Sequence, residues 1–251
     1  MNPKITDWNG RRVWLVGASS GIGAALAHEL ARRGARLAVS ARNADRLRAL
    51  DIASARLLPC DATDAASLAA ARSELLAVWG GVDLVVYLAG DYAPMRADRF
   101  DLAAAEQVFA VNFLGAMRLT ATMLGDLPAG GGIALVASVA GYRGLPRALA
   151  YGPGKAALIH FAECLYLDLA PKNIGVWIIN PGFVATRLTA KNDFNMPALL
   201  TPAQAALAMV DGFRTGAFEI HFPKRFTLVM KLLSHLPYRW YFPLVRRMTG
   251  G

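Results

Sequence analysis

The sequence predicts an α/β protein: a doubly wound parallel sheet in a single domain, with helices on both faces. Three observations lead there. Short β-branched and aliphatic runs alternate with longer segments of helical spacing, the pattern of repeated strand–helix units. The run Val82-Asp83-Leu84-Val85-Val86-Tyr87-Leu88 is apolar almost throughout, as a strand covered on both faces must be. No shift in composition divides the 251 residues, 55% of them hydrophobic, which is enough to bury one sizeable core.

In chain order, residues 12–16 predict the first strand, and Gly17-Ala18-Ser19-Ser20-Gly21-Ile22-Gly23 turns it directly into a helix over 21–33. Strands over 36–40 and 55–59 follow, then a helix over 64–79 for which Asp61 and Asp64 are candidate caps. The buried strand is 82–88. An Ala-rich helix over 102–124 leads through the plain loop Gly130-Gly131-Gly132 to a strand over 132–138. A helix over 149–170, a strand over 175–180, a helix over 202–213 and a short strand over 218–221 complete the alternation. Over 224–236, Thr227, Lys231, Ser234 and His235 fall on one side of a helix and apolar residues on the other, until Pro237 stops it.

Composition narrows the function. The stretch before the glycine-rich loop carries Lys4 and Asp7 with no apolar run, so it does not read as a secretory signal. No uncharged apolar run reaches the roughly 18 residues needed to span a bilayer. A cytoplasmic protein is expected, with Cys60 and Cys164 as free thiols. His28, His160, His221 and His235 stand apart from other ligand types, so no metal site is expected. The chain has 27 basic and 18 acidic residues, net +9, and the segment 223–251 holds Lys224, Arg225, Lys231, Arg239, Arg246 and Arg247 with no acid. Those cations are interleaved with Phe, Leu, Trp and Tyr, too apolar a mixture for nucleic acid. The aromatic and cationic run Tyr238-Arg239-Trp240-Tyr241-Phe242 suits a membrane surface or an apolar partner; the alternative is that this segment packs on its own domain or a second subunit.

The loop 17–23 carries chemistry. Glycines after a first strand let the backbone approach a pyrophosphate, whose charge is met by free amides at the positive end of the helix. At the end of the second strand, Val39-Ser40-Ala41-Arg42-Asn43 offers Arg42 and no acid, which favours a 2′-phosphate and hence NADP(H), with Ser40 beside it. Tyr151 and Lys155 stand one helical turn apart on one face. Reduction of a ketone by hydride leaves an alkoxide that needs a proton. A phenol with a pKa near 10 is brought into range by a neighbouring ammonium.

Together, the Gly-x-x-x-Gly-x-Gly loop and the ordered set Asn112, Ser138, Tyr151 and Lys155 resemble the short-chain dehydrogenase/reductase family, over roughly residues 11–188. The resemblance implies a Rossmann-like fold, residues 1–222 forming the dinucleotide-binding and catalytic domain and 223–251 its basic extension. It implies Tyr151 as acid and base, Ser138 on the substrate oxygen, Lys155 also on the nicotinamide ribose, and Asn112 holding the helix and a water. Cys60-Asp61-Ala62 is similar to the family's Asp-Val pair, which puts Asp61 and Ala62 at adenine. Ala89 and Gly90 lie where cofactor approaches closely. In Asn180-Pro181-Gly182-Phe183-Val184-Ala185-Thr186, the family's Pro-Gly segment, the backbone near Val184 and the Thr186 hydroxyl are implied to hold the carboxamide. The loop 187–200 is the family's mobile lid, and Phe194, Met196 and Leu199 in it suggest an apolar or lipid-like substrate.

The sequence departs from the family in three places. Val16 stands where Thr is usual, and Tyr87-Leu88-Ala89-Gly90 replaces Asn-Asn-Ala-Gly. The basic tail replaces the closing strand used for tetramer packing. The resulting expectation is an NADP(H)-dependent carbonyl/alcohol oxidoreductase acting on a small molecule, as a homodimer or higher assembly. A non-catalytic NADP(H)-binding sensor or scaffold is the alternative.

Overall fold

The computed structural model describes residues 1–249, so the last two residues of the C-terminal segment, Gly250 and Gly251, lie outside the described residues. Seven parallel strands form one sheet: β1 (Arg12–Val16), β2 (Arg36–Ser40), β3 (Arg56–Leu57), β4 (Leu84–Tyr87), β5 (Gly132–Val136), β6 (Gly175–Pro181) and β7 (Glu219–Phe222). Their order is β3-β2-β1-β4-β5-β6-β7, so the winding reverses between β1 and β4, where a crevice opens at the carboxyl ends of the strands. The helices are α1 (Gly21–Arg32), α2 (Ala44–Arg48), α3 (Ala65–Trp79), α4 (Leu102–Phe109), α5 (Gly115–Met123), α6 (Tyr151–Leu169), α7 (Pro202–Thr215), α8 (Lys224–Ser234) and α9 (Tyr238–Thr249).

Period-two alternation along each strand divides the core between the faces. Val13, Leu15, Leu84, Val86, Trp177 and Ile179 pack on one side with Leu26 and Leu30 of α1 and Met209 and Phe213 of α7. Trp14, Val16, Val85, Tyr87, Val176 and Ile178 pack on the other with Leu68 and Leu75 of α3, Leu119 of α5 and Leu158 of α6. Each fully buried aliphatic side chain contributes about 1.5–3 kcal/mol over exposure. Local signals set the helix ends. Asn43, Asp64 and Asp101 cap α2, α3 and α4, Thr201 and Gln204 form a capping box for α7, and Gly80 and Gly216 close α3 and α7 in the left-handed region.

Four features differ from the expectation. The helix expected over 102–124 is broken by a π-helical turn at Ala110–Leu114. The aromatic run after Pro237 is itself helical, with Pro243 inside α9. α2 is an additional short helix, and β3 retains only two residues of the strand expected at 55–59. No helix among the described residues is long and apolar enough to cross a membrane. Cys60 is buried, Cys164 is exposed, and both are free thiols.

Candidate active site

β1 ends at Val16 and the chain turns through Gly17 at φ +97°. A Cβ there would sit 2.2 Å from the backbone nitrogen of Ala89, so only glycine lets this loop lie against the end of β4. The N–H groups of Gly17 and Ala18 bond to the Ser40 carbonyl, tying the loop to β2 at 2.8 and 3.1 Å. Ser20 is the N-cap of α1, yet its side chain makes no cap bond. The amides of Gly21, Ile22 and Gly23 in the first turn are therefore left for an anion, as helix geometry requires. Thr186 closes over this loop, its methyl 3.1 Å from where a Cβ on Gly21 would stand. These features fit a dinucleotide pyrophosphate.

The ribose end is mixed. Arg42 is exposed at the mouth of β2; against the effect of burial, the Thr63 amide and hydroxyl that bond to the Asp61 carboxyl at 2.8 Å hold it below its ordinary range, and the Arg42 charge adds to this. Asp64, not Asp61, caps α3. Ser40 corrects the expectation: it is fully buried and its hydroxyl accepts the Trp14 indole N–H at 2.8 Å. Its side chain faces the core, and what it presents to the site is its carbonyl.

The second cluster assembles where β4, β5 and α6 meet. Asn112 lies in the π-helical turn, completely buried, and its carboxamide pairs with the backbone of Asp91: Oδ1 accepts the Asp91 N–H at 2.7 Å and Nδ2 donates to the Asp91 carbonyl at 2.9 Å. The π turn shifts the carbonyl ladder by one residue, and the buried Tyr87 hydroxyl donates to the Val111 carbonyl. This resolves the departure at 87–90. With no Asn on β4, the segment after Gly90 is fixed from the opposite side, by Asn112.

Ser138 ends the loop after β5 and caps a short 3-10 turn by accepting the Ala140 N–H at 3.1 Å. That turn lies directly on α6, since a Cβ on Gly141 would come within 2.7 Å of the Lys155 carbonyl carbon. Pro153 sits in the first turn of α6, where no intrahelical amide bond is lost. Lys155, 4% exposed, points inward, its Nζ 2.8 Å from the Val136 carbonyl and 5.6 Å from the Tyr151 ring centre. Desolvation pushes Lys155 down to about 7. Burial also pushes Tyr151 up to about 12, against the neighbouring Ser138 hydroxyl, which pulls it down. Lys155 Nζ is turned to the Val136 carbonyl, and burial is the largest influence on both groups.

At the end of β6, Pro181 is buried and the Gly182 N–H bonds to the Phe222 carbonyl at 2.7 Å. Val184 is buried, and its carbonyl accepts the Thr189 hydroxyl at 2.6 Å, which folds the following loop back towards the site. Phe194 and Leu199 of that loop are nearly half exposed, and Phe194 stands edge-on to Phe183 at 5.8 Å.

Comparison with known proteins fits this geometry. A model of the short chain dehydrogenases matches residues 11–196, about three quarters of the chain. The chain belongs to the short-chain dehydrogenase family. It is 34% identical to an uncharacterized oxidoreductase of Myxococcus xanthus over 97% of this chain and all of that one. It is 33% identical to 11-beta-hydroxysteroid dehydrogenase-like 4A of Arabidopsis thaliana, covering 83% of this chain and 75% of that protein. A short chain dehydrogenase from Burkholderia cenocepacia, solved in complex with NADP, superposes with a TM-score of 0.83 at 23% identity, covering 97% and 98% of the two chains. As a short-chain dehydrogenase, the protein is an NAD(P)-dependent oxidoreductase acting on CH–OH groups of small molecules.

Two residues of this short-chain dehydrogenase site escaped the sequence reading. Arg187 Nη2 donates to the Ser20 hydroxyl at 2.9 Å, which places a cation on the glycine loop. Its signal was available, as a cation next to Thr186. Tyr92 stacks edge-on against Tyr151 at 5.1 Å and donates to Asn192 Oδ1 at 2.9 Å, joining Tyr151 to the 187–200 loop. No spacing announces that contact, because it joins segments 100 residues apart.

Proposed function

We propose that this short-chain dehydrogenase is an NADP(H)-dependent enzyme that interconverts a carbonyl and an alcohol on an apolar, lipid-like substrate, with Tyr151 as acid and base. The observation that carries the reading is the lysine at 155, 4% exposed, one turn below Tyr151. A packed core gains nothing from a lysine there, and its burial costs stability unless a ligand uses it.

The pyrophosphate would rest on Gly17, Ser19, Ser20, Gly21, Ile22 and Gly23, with Arg187 beside them. Arg42 would meet the 2′-phosphate, and Asp61 and Ala62 the adenine. Ala89 and Gly90 would line the central stretch, Tyr151 and Lys155 the nicotinamide ribose, and Pro181, Gly182, Val184 and Thr186 the carboxamide. NADPH held there would supply the hydride that the carbonyl carbon receives. Tyr151 gives its hydroxyl proton to the carbonyl oxygen, which Ser138 holds, so an alcohol forms and a phenolate remains. Lys155, freed from Val136 and protonated, stabilises that phenolate until solvent returns the proton. Asn112 keeps the Gly90–Asp91 backbone in place throughout. In the reverse direction the phenolate accepts the alcohol proton.

NADP(H) is supported by Arg42 in the run 39–43 at the end of β2, which carries no acidic residue, and by the NADP bound to the Burkholderia protein. An apolar substrate is supported by Phe183, Phe194 and Leu199 around the lid. We further propose that residues 1–222 form the dinucleotide-binding and catalytic domain and 223–251 an extension of it, in a cytoplasmic homodimer or higher assembly. The membrane contact expected of that extension rests on a different surface, that of α8 and α9.

Turnover of a panel of carbonyl compounds, followed by NADPH absorbance, tests the assignment. Apolar ketones and aldehydes should be reduced, with NADPH preferred to NADH. Arg42→Ala should weaken NADPH by about tenfold or more, the scale of a lost charge-assisted bond, and leave NADH nearly unchanged. Equal use of both cofactors by the parent, or equal losses in the variant, would contradict NADP(H) specificity.

A further inference from the structure

α8 turns two of its polar residues inward and part of its apolar surface outward. Thr227 is fully buried and shares a bond with His221 Nδ1, and Lys231 is paired with Glu219 on β7, while Lys224 and Arg225 at the start of the helix are exposed. Glu219 also takes the Tyr142 hydroxyl and the Asn180 amide, so the helix is held by a polar network at the end of the sheet. Leu228, Val229 and Leu232 are consequently turned outward, Leu232 to 69% exposure. Such an orientation costs stability in water, where apolar helix faces are ordinarily covered.

α9 follows α8 and is packed on the same part of the body. Tyr241 and Val245 pack down with Leu233, and the Tyr241 hydroxyl bonds to the Gly144 carbonyl at 2.7 Å. Arg143 stacks on Tyr238 and Tyr241 and donates to the Ser234 carbonyl at 2.9 Å, which fixes the α8–α9 corner. Trp240, Phe242 and Met248 remain more than half exposed. Arg239, Arg246 and Arg247 lie on the remaining arc of the helix, and Lys224 and Arg225 stand at the start of α8. None of these five cations is in a salt bridge among the described residues, and no acid occurs from 223 to 249.

We propose that α8 and α9 dock the protein on an anionic lipid surface, with Leu232, Trp240, Phe242 and Met248 entering the headgroup boundary and the unpaired cations meeting lipid phosphates. Charge complementarity selects that occupant. A second copy meeting this face on a two-fold axis would bring two sets of unpaired cations together with no acid from either side. A zwitterionic surface would take the apolar residues and leave the cations unanswered. Exposed aromatic and apolar side chains with cations nearby are what an interfacial helix pair needs. The proposal stands independently of the reaction assigned to the crevice.

Flotation of the full chain with vesicles of phosphatidylcholine alone and of an equal mixture with phosphatidylglycerol tests it. Binding should favour the mixed vesicles by about tenfold or more and weaken with salt, since each cation contributes about fivefold at an anionic surface. Trp240 emission should shift to the blue on binding, a shift absent in Trp240→Phe. The double variant Leu232→Ser, Trp240→Ser and the charge reversal Arg246→Glu, Arg247→Glu should each lose flotation while retaining the parent's circular dichroism and melting temperature. Either member of each pair, made singly, should weaken flotation in part if a double variant fails to fold. Equal flotation on both vesicle types, or none, would overturn the proposal. So would dissociation of an oligomer by Leu232→Ser, seen in sedimentation velocity, with flotation unchanged.

Discussion

Lys155 is the residue at which stability and chemistry pull in opposite directions. Its pKa in the fold is pushed down to about 7 from the ordinary lysine value of 10.5. Between those values the unfolded chain binds a proton that the folded chain does not, so this group makes stability rise with pH through that window. Below about 7 the cost of burying the ammonium is fully present. Lys155→Met should therefore raise stability at pH 6 to 7 by about 1–2 kcal/mol, a gain that fades towards pH 10, while turnover is lost. Thermal melts across that pH range check it, and a variant less stable at pH 6 would contradict it. At this scale the expected cluster of Asn112, Ser138, Tyr151 and Lys155 could be named because each type stands at a fixed spacing in its motif, and the fold brings these residues to one region. Ser40 was read less well, although its strand carried the answer. It falls two residues after Ala38, on the face packed by Trp14 and Val16, so its hydroxyl had to enter the core.

The π-helical turn at 110–114 is the element that sequence periodicity could not reveal. One inserted residue leaves the apolar spacing of the flanking helices intact, so 102–124 reads as one helix. What the insertion does is turn Asn112 onto Asp91. Asn112→Ala should leave the Asp91 N–H and carbonyl without partners, at a cost of about 1–3 kcal/mol. Because Gly90 and Asp91 line the crevice, kcat should fall more than the melting temperature predicts. Activity measured well below the melting temperature separates the two, and full activity there would show that Asn112 only stabilises. The C-terminal elements were half legible. The amphipathic pattern of 224–236 was plain, but its orientation was set by Glu219 and His221 on β7, a long-range demand that no local window contains. α9 was not expected from the aromatic and cationic run; it forms with Pro243 inside it, and Tyr241 and Val245 pack it down.

Across the whole molecule, the alternation of strands and helices with right-handed crossovers calls for a doubly wound parallel sheet, and the order β3-β2-β1-β4-β5-β6-β7 is one of those it permits. The reversal between β1 and β4 brings Gly17 against Ala89, and the same sheet edge carries Ser138 on the loop after β5 and Thr186 beyond β6. A chain so organised places a glycine loop and a Tyr–Lys pair at one edge, where we propose that hydride is transferred with Tyr151 as the proton donor. Single turnover with NADPH carrying deuterium on the transferring face of nicotinamide C4, performed on the parent and on Tyr151→Phe, tests this. The parent should deliver deuterium to the carbinol carbon of the product alcohol. Tyr151→Phe should bind NADPH with little change, by fluorescence titration, and form labelled alcohol at least about 100-fold more slowly, the usual share of a general acid. Labelled product from Tyr151→Phe at the parent's rate, or no label from the parent with NADPH bound, would contradict the account.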